Sequence, residues 1–558
     1  MSGSFTKGRS LRYLIFCLPI SFLCLLAFAS ECAFATTWIV RPDGSGDFAT
    51  IQAAVTAGVG GDIVELTSGT FTGPGNRDVD LLGKAITVRS HNGNPDSCII
   101  DCQDSLGHPH RGFRFHSGEG ITSELRGLTI ANGYVTTSGG GVSCTNGSTP
   151  LIRDCILINN FAGTNGGALF CTSNSNLTLE NCQFIENTAE IYGGAIRCYQ
   201  SSPTLTGCLF RSNVGPFGGG FSCYRNCTPE LTDCVFELNE SAHGGGIFSF
   251  DSVATVTRCV FVGNVSLGEG GGFANFDSSP TVINCVFIDN IGAEAGGGFY
   301  AGGDGFNSIT DCTFAGNSSN LGGGVYSHFA TSLILTGSTL IGNSAAIAGS
   351  GIYIAYTPTE LERVIIAFGQ VTPALQCADT DYPPLLSCCD IYGNTAGDWS
   401  DCVVGQFGVN GNISVDPIFC DVETGDFTLR EDSPCAEENN PGCGLIGSWP
   451  VACGVSSHTE ISPLPASPMF LQNQPNPFNP TTVISYRLPR PTVVTLRIFD
   501  LRGRAIRRLE MGVFHSEGFH SVRWGGHDDS GQPLPSGSYF GRLDAAGQTL
   551  TKKMLLMK

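Results

Sequence analysis

Three aspartates at a regular spacing have the clearest potential for chemistry in this sequence. Asp251, Asp277 and Asp304 each stand eight residues before one of a series of evenly spaced cysteines. On successive turns of a repeat they would lie about 5 Å apart, where like charges repel unless a cation, a proton or open water relieves them. Because Ca²⁺ is bound by several carboxylate and carbonyl oxygens, this column predicts a calcium site.

The same column also has a structural interpretation. Its earlier members are polar but uncharged: Asn174, Gln200 and Asn226. Asn and Asp are frequent in turns, so the aspartates would then extend a row of turn residues on a solvated corner. Three further titratable residues stand near glycine runs, where we expect them at the surface: His243, Glu269 and Glu294.

The elements that position these residues are turns of a repeat of about 26 residues. The cysteine column is Cys155, Cys182, Cys208, Cys234, Cys259, Cys285 and Cys312, followed by Ser338. Two residues after each member lies a large apolar side chain: Leu157, Phe184, Phe210, Phe236, Phe261, Phe287, Phe314 and Leu340. Five residues after each lies an asparagine: Asn160, Asn187, Asn213, Asn239, Asn264, Asn290, Asn317 and Asn343. Glycine pairs or triplets precede the first strand of each coil.

This period favours a β-solenoid. Each repeat offers short β-like runs separated by turn residues, and no run has the apolar face of a helix. Short strands need neighbouring coils to pair their backbone, which stacking supplies. Cys and Phe have the same parity on one strand, so both are expected to point inward. The asparagines are expected to form a hydrogen-bonded ladder at one corner, and the glycines to form the opposite corner.

The repeat resembles two related groups of proteins. Phe184-Ile185-Glu186-Asn187 and Gly193-Gly194-Ala195-Ile196 are similar to the F-x-x-N and G-G-A-I repeats of polymorphic outer-membrane proteins. More widely, residues 38 to 450 resemble the pectate-lyase-like right-handed β-helix superfamily. The outer-membrane proteins end in a membrane β-barrel, and the C-terminal segment here is too short for one. The resemblance implies a fold and says little about chemistry.

Enzymes with this fold need particular residues, and complete sets are missing from the sequence. The paired aspartates of a pectin methylesterase-like site do not occur in their usual context. A polygalacturonase-like site needs Gly-His-Gly, which is missing, and Asp-Asp, whose only copy, Asp528-Asp529, lies in the C-terminal module. A lyase needs a reactive base beside calcium-binding carboxylates. Lys84 lies far from the acidic coils, and Arg225 and Arg258 are the nearest basic residues.

The N-terminus reads as an export signal. Lys7, Arg9 and Arg12 precede an apolar run at 14–29, and Ala33-Phe34-Ala35 is a cleavage motif. Export to an oxidising compartment permits disulfides among the eight cysteines between 377 and 453, which we place off the ladder. The ladder cysteines are instead expected to be buried free thiols.

The C-terminal module has a different composition. Residues 494–500 alternate apolar and polar side chains, and about seven short strands fit the size of a small Ig-like sandwich. The module resembles the type A sorting domain of the type IX secretion system and the Ig-like domain of flagellar hook-capping proteins. That resemblance implies export across an outer membrane.

The sequence therefore predicts an all-β chain, a right-handed parallel β-helix solenoid followed by a small Ig-like β-sandwich. The predicted segments are a signal peptide at 1–35, the β-helix with an N-terminal cap and Cys-rich C-terminal coils at 36–455, a linker at 456–469 and the Ig-like sorting domain at 470–558. No transmembrane segment is expected in the mature chain.

Charge and motif content bear on function. Residues 36–458 hold 14 Lys and Arg against 41 Asp and Glu, a net charge of −27, whereas residues 459–558 have a net charge of +5. So acidic a body argues against nucleic acid as a partner. We expect an extracellular or surface-displayed, non-enzymatic, adhesin-like or structural binding protein whose partners are secretion machinery and an extracellular glycan or cell-surface ligand. The alternative is a polysaccharide lyase-like enzyme acting on acidic glycans. Neither function requires a cofactor by its motifs, and Ca²⁺ at the aspartate column is the one cofactor that the sequence suggests.

Overall fold

The computed structural model describes residues 35–103, 109–379, 382–422, 425–453, 469–470, 478, 480–488, 492–500, 504–515, 518–529, 531–545 and 548–557. The predicted signal peptide, apart from Ala35, and the predicted linker, apart from Met469, lie outside these residues. The four segment boundaries therefore stay predictions.

Three long parallel sheets form the body of the chain. Sheet 1 consists of Thr37–Val40, Ile63–Leu66, Thr87–Ser90, Glu124–Arg126, Leu151–Arg153, Thr178–Glu180, Thr204–Thr206, Glu230–Thr232, Thr255–Thr257, Thr281–Ile283, Phe306–Thr310, Ser332–Thr336, Thr359–Glu362 and Leu385–Ser387. Sheet 2 consists of Gly69–Phe71, Cys98–Asp101, Thr129–Ala131, Ile156–Ile158, Gln183–Ile185, Leu209–Arg211, Val235–Glu237, Val260–Val262, Val286–Ile288, Thr313–Ala315, Thr339–Ile341, Ile365–Ala367 and Asp390–Tyr392. Sheet 3 consists of Val79–Asp80, Phe113–Phe115, Val142–Cys144, Leu169–Thr172, Ile196–Tyr199, Phe221–Tyr224, Ile247–Phe250, Phe273–Phe276, Phe299–Gly302, Val325–His328, Ile352–Ala355 and Leu375–Cys377.

Each coil of the chain passes through sheets 1, 2 and 3 in that order and then rises to the next coil. Two small sheets pair between sheets 2 and 3: Tyr134–Val135, Phe161–Ala162 and Thr188–Ala189, then Glu240–Ser241, Val265–Ser266, Ile291–Ala295, Ser318–Leu321 and Ser344–Ala348. Because every backbone group of a short strand pairs with the coils on either side, the stack is stable where one coil alone is not. The predicted parallel β-solenoid is confirmed.

The inward ladders predicted from the repeat are present. The rings from Phe184 to Phe314 stack with centroids 4.5–4.9 Å apart, and the cysteines from Cys155 to Cys312 are buried free thiols. A second cysteine ladder, which the sequence did not predict, runs inside sheet 3: Cys144, Cys171, Cys198 and Cys223. Both ladders fill the core as small apolar groups.

The expectation that the glycines lie opposite the asparagines is wrong: both lie in the connection from sheet 2 to sheet 3, where the glycine corner keeps neighbouring coils close together. Gly244 has φ +70°, a left-handed conformation that side chains rarely adopt, and a Cβ atom on Gly245 would overlap the carbonyl oxygen of Gly271 in the next coil. The corner therefore requires glycine for both conformation and space.

Both ends of the solenoid are covered. At the N-terminal end the helix Ile51–Ala57 follows the first strand, and the Thr50 hydroxyl accepts a hydrogen bond from the Ala53 N–H at 3.2 Å. At the C-terminal end lie the 3₁₀ helix Asp401–Gln406, a hairpin of Phe419–Asp421 and Asp426–Leu429, and the 3₁₀ helix Glu437–Asn439; another 3₁₀ helix, Pro95–Ser97, lies in an early coil.

Three disulfides cross-link the C-terminal coils, where the sequence predicted disulfides without their pairing. They join Cys377 to Cys402, Cys388 to Cys443 and Cys420 to Cys453, with Cα atoms 5.4–5.9 Å apart. The expectation that all eight cysteines of this region lie off the ladder is wrong for Cys389. Cys389 is a buried free thiol that continues the ladder, because Asp390 pairs with Ile365 in sheet 2.

The C-terminal module consists of two antiparallel sheets around its own core. One contains Met469–Phe470, Thr482–Leu488 and Gly518–Trp524, and the other contains Ala505–His515, Thr492–Phe499, Gly537–Ala545 and Gln548–Leu556. Side chains from both sheets, among them Tyr486, Leu496 and Leu543, are buried together. Seven described strands match the predicted number.

Candidate binding site on the outer face of sheet 3

Alternation along sheet 3 places one set of side chains inside the solenoid and another outside. The outer set forms three columns along the axis. The first column is Arg114, Ser143, Phe170, Arg197, Ser222, Phe248, Ala274, Tyr300, Tyr326 and Tyr353. The second column is Thr172, Tyr199, Tyr224, Phe250, Phe276, Gly302 and His328. The third column lies just before the glycine corner and contains Ser138, Asn165, Tyr192, Phe217 and His243, with Glu269 next.

Aromatic rings dominate these columns. We call the ten rings together the aromatic face: Tyr192, Tyr199, Phe217, Tyr224, Phe248, Phe250, Phe276, Tyr300, Tyr326 and Tyr353. One continuous row of ring contacts runs across seven successive coils, with centroids 4.8–6.2 Å apart, through Tyr192, Phe217, His243, Phe276, Tyr300, Tyr326 and Tyr353. Most of these rings are half-buried. Phe248, Tyr300 and Tyr326 are buried against their neighbours, whereas the other rings are half-buried and offer a candidate contact surface.

Arg197 is a buried basic residue within the aromatic face. Its guanidinium lies 4.1 Å from the ring centroid of Tyr192 and 4.9 Å from that of Tyr224, and Nη1 donates to the Ser222 hydroxyl at 2.6 Å. Burial lowers the pKa of Arg197, and the π-electrons of the two rings offset part of the cost of keeping the cation. Arg197 therefore stiffens the face between Tyr192 and Tyr224.

His243 and Glu269 form an acid–base pair on the same face. Nδ1 of His243 lies 2.5 Å from Oε2 of Glu269, and the imidazole stacks on Phe217 at 5.2 Å. The hydrogen bond from His243 lowers the pKa of Glu269. Burial raises the pKa of Tyr326 to about 12, and the charge of Glu269 contributes. His243 and Glu269 lie at the surface, as expected, and form one partly buried pair. Glu294 is exposed, also as expected.

The three aspartates predicted to bind calcium occupy the turn after sheet 3. All three are exposed. Asp251 and Asp277 have φ of 47° and 45° at equivalent positions of successive coils, but the position equivalent to Asp277 in the next coil is Gly303 and not Asp304. The Asp277 carboxylate accepts a hydrogen bond from the Asp304 N–H at 3.1 Å.

That turn geometry accounts for Asp277 without a ligand. Among the residues that the structure describes, no group of three or more His, Cys, Asp and Glu side chains is placed to hold a metal ion. The calcium site at Asp251, Asp277 and Asp304 therefore stays a prediction. In the same described ranges, no helix is long and apolar enough to cross a membrane.

Sequence reasoning missed the aromatic face, although a signal for it exists. An aromatic residue stands six positions after the left-handed glycine of four successive coils: Tyr199, Tyr224, Phe250 and Phe276. The cysteines lie on the far side of the turn from sheet 3, so columns counted from them do not follow the aromatic residues. Insertions in that turn obscure the aromatic column.

Comparison with known families settles the class of the solenoid. The family described as right handed beta helix region matches residues 83–236, 117–287 and 232–364, which together span slightly more than half of the chain. The chain belongs to the right-handed β-helix family. In this right-handed β-helix protein, residues 474–548 also match the FlgD Ig-like domain. No curated protein matches the sequence.

Several solved structures are similar to this right-handed β-helix protein at low identity. A mannuronic acid specific polysaccharide family 6 lyase from human gut microbiota is 14% identical with a TM-score of 0.35, over 68% of this chain and 87% of that chain. The A-module of the mannuronan C-5 epimerase from Azotobacter vinelandii is 15% identical with a TM-score of 0.33, over 66% and 94%. A pectate lyase is 14% identical with a TM-score of 0.31, over 76% and 98%.

Proposed function

We propose that this protein is an exported, non-enzymatic binding protein and that the aromatic face of sheet 3 binds a glycan. The row of ring contacts across seven coils carries the proposal. Half-buried aromatic rings offer apolar contact area at a low cost in conformational entropy, and tyrosine adds a hydroxyl for hydrogen bonds. Sugar rings have both apolar C–H faces and hydroxyl groups, so this surface suits them.

The solenoid repeats this chemistry along one axis. Each of the seven coils contributes one ring to this row, about 4.8 Å beyond the last. A linear polymer lying along the axis would meet comparable groups at each coil, so weak contacts with successive sugars would add to a useful affinity. We therefore propose a polysaccharide rather than a single sugar as the ligand.

The His243–Glu269 pair favours a second candidate, a carbohydrate-active enzyme acting on acidic glycans. A histidine held by a carboxylate is a common general base. The pair lies among the proposed binding residues, at 2.5 Å from nitrogen to oxygen. Release of unsaturated or reducing-end product by the wild type, and not by His243→Gln, would favour this candidate.

We further propose that the C-terminal module directs export or attachment at the cell surface, as a type IX secretion sorting domain does. The Ig-like match at 474–548 supports the module's class, and three disulfides in the C-terminal coils support an oxidising location. Removing residues 470–558 should leave the β-helix inside the cell in a host with that secretion route. Unchanged export of the truncated chain would contradict the proposal.

A panel of immobilised polysaccharides tests the binding function. Purified protein is incubated with polygalacturonate, alginate and neutral glycans, with and without Ca²⁺, and both retention and product release are measured. We expect retention on at least one glycan without product. Product above that of a His243→Gln control would instead establish an enzyme.

A further inference from the structure

The C-terminal half of the aromatic face consists of four rings: Phe276, Tyr300, Tyr326 and Tyr353. Carboxylates border these rings on both sides. Glu269 lies on the side of the glycine corner, and Glu294 stands beside Ala295, the bridge partner of Glu269 in the next coil. On the other side, Asp277 directly follows Phe276 at the start of the turn after sheet 3. The four rings therefore lie between two negatively charged borders.

No basic side chain neutralises Asp277 or Glu294 in the part of the chain that the structure describes. Neither carboxylate forms an ion pair there, and both side chains are exposed. Glu269 differs, because it is held by His243. A cationic ligand would therefore find two open carboxylates, one on each side of the four rings.

Basic residues are also rare in this part of the sequence. Arg363 is the only Lys or Arg among residues 259–429, and it directly follows the sheet 1 strand Thr359–Glu362. The one histidine of that stretch is His328, whose pKa is lowered by burial, so its neutral form is favoured. The C-terminal half of the aromatic face thus has a negative potential, which attracts cations and repels anions.

Two tyrosines of this half have hydrogen-bonding capacity that the protein leaves unused. Tyr300 exposes only 7% of its surface and Tyr326 only 8%, yet neither hydroxyl has a hydrogen-bond partner among the described residues. Each hydroxyl oxygen still reaches solvent. Gly302 leaves room for the Tyr300 hydroxyl, since a Cβ atom at this glycine would lie 2.6 Å from that oxygen. Packing thus holds two phenol groups in place with their oxygens open to a ligand.

The bordering carboxylates act on these phenol groups. Burial raises the pKa of Tyr300, and nearby negative charges add to the effect: Glu269, Asp277 and Glu294. At Tyr353 burial raises the pKa as well, and the charges of Asp401 and Asp379 contribute. A phenol oxygen in a negative potential favours a cationic donor over a carboxylate as its partner.

The N-terminal half of the aromatic face has the opposite charge. Arg197 and Arg225 both lie beside the ring of Tyr224, with their guanidinium groups 4.9 and 5.4 Å from its centroid. Cations are therefore favoured in the C-terminal half alone, where the row of rings continues without an arginine.

We propose that the C-terminal half of the aromatic face binds the protonated amino groups of a glycan built from amino sugars. Each ammonium group would donate to a tyrosine hydroxyl and to a bordering carboxylate. The half-buried rings of Phe276 and Tyr353 add cation–π attraction. The inference rests on the proposed glycan-binding function and adds to it a substrate class, the cationic glycans.

Calorimetric titration of the full-length protein with two hexasaccharides tests this inference. One is the β-1,4-linked hexamer of glucosamine, and the other is its fully N-acetylated form, which has the same backbone without the charge. In a weakly acidic buffer that keeps the amines protonated, we expect the glucosamine hexamer to bind at least about tenfold more tightly. Asp277→Asn with Glu294→Gln should weaken its binding by about tenfold and leave that of the N-acetylated hexamer unchanged.

Asp96→Asn with Glu230→Gln is the matched control, because it removes the same charge from two exposed carboxylates elsewhere. Asp96 lies in the 3₁₀ helix Pro95–Ser97, and Glu230 begins the sheet 1 strand Glu230–Thr232. The control should bind both hexamers as the wild type does. Folding of the site variant should be kept, because the amide oxygen introduced by Asp277→Asn can still accept the Asp304 N–H.

Each other outcome overturns the inference. Equal affinity for the two hexamers means that the amines are not recognised, and an equal loss in the control means that only net charge matters. An unchanged affinity in the site variant, or absence of binding by the wild type, also contradicts it. Tighter binding of hexalysine than of the glucosamine hexamer would assign a basic peptide instead. If the N-acetylated hexamer or another glycan binds and needs Tyr224 and Phe250, the proposed function survives these failures.

Discussion

Nδ2 of Asn239 donates to Oδ1 of Asn264 across 2.9 Å, and both side chains are fully buried. The same Oδ1 accepts the backbone N–H of Asn239 at 3.1 Å. Nδ2 of Asn264 also donates to the Phe236 carbonyl oxygen at 2.9 Å. Each asparagine thus satisfies polar groups of two coils at a corner where the chain leaves sheet 2. The residue before it, such as Leu238 with φ 57°, takes the left-handed turn.

Removing one rung of this ladder should be costly. Asn264→Ala leaves buried donors and acceptors on both neighbouring coils without partners, and each unsatisfied group costs about 1–3 kcal/mol. We expect a loss of at least about 3 kcal/mol in the free energy of unfolding, measured by urea denaturation. Asn320→Ala, an exposed asparagine on the strand Ser318–Leu321, should change it by less than about 0.5 kcal/mol. Equal effects would contradict a bonding role for the ladder.

The phenylalanine stack should also dominate local stability. Phe261 is fully buried and stacks on Phe236 and Phe287 at 4.9 and 4.5 Å. Phe261→Ala should lower the free energy of unfolding by about 3–5 kcal/mol through lost burial and the cavity it leaves. Phe306→Ala, at a ring that is 64% exposed, should have little effect. Thermal unfolding of both variants provides the comparison.

Thiol chemistry tests the assignment of the cysteines. The structure places sixteen cysteines as buried free thiols and six in disulfides. Denatured but unreduced protein, after removal of the signal peptide, should therefore react at sixteen thiols, and reduced protein at twenty-two. Few reactive thiols before reduction would mean that the ladder cysteines are cross-linked.

Asp390 should make stability depend on pH. Its side chain is fully buried, and burial raises its pKa to about 6 from a usual value of 3.8. The folded state then holds the proton more tightly than the unfolded state, so this contribution is complete below about pH 3.8 and is lost as pH rises through about 6. Between these limits the free energy of unfolding should fall by about 3 kcal/mol on this account.

The isosteric variant isolates that effect. Asp390→Asn removes the titration and should flatten the pH dependence between pH 4 and pH 7 relative to wild type. The same substitution at the exposed Asp251, Asp251→Asn, should leave the pH dependence of the free energy of unfolding unchanged. A wild-type profile that Asp390→Asn does not change would show that this carboxyl group titrates normally.

Much of the fold could be predicted from the regular spacing of residue types in the sequence, because residues one period apart lie next to each other in stacked coils. Cys, Phe and Asn at fixed offsets predicted two inward ladders and a polar corner, and these are present. The offsets fail where a coil carries an extra residue. The 27-residue gap between Cys285 and Cys312 places its additional residue after Gly303, so counting back from Cys312 brings Asp304 into a column that it does not join.

The candidate site was harder to predict for a physical reason. Outward side chains of sheet 3 lie outside the main core of the solenoid, so no fixed residue type is required of them, and Ser222, Phe248 and Ala274 follow one another in a single column. Disulfide partners depend on the path of the irregular C-terminal coils.

The central claim is that the aromatic face of sheet 3 holds a glycan, and the affinity of the full-length protein for its best polysaccharide tests it most directly. Tyr224 and Phe250 stack at 4.7 Å on successive coils and are only half-buried. Tyr224→Ala with Phe250→Ala should weaken binding by about tenfold or more, equivalent to about 1.4 kcal/mol. Phe306→Ala on sheet 1 should leave the affinity unchanged. Undiminished affinity in the double variant, with its folding confirmed by thermal unfolding, would contradict the claim.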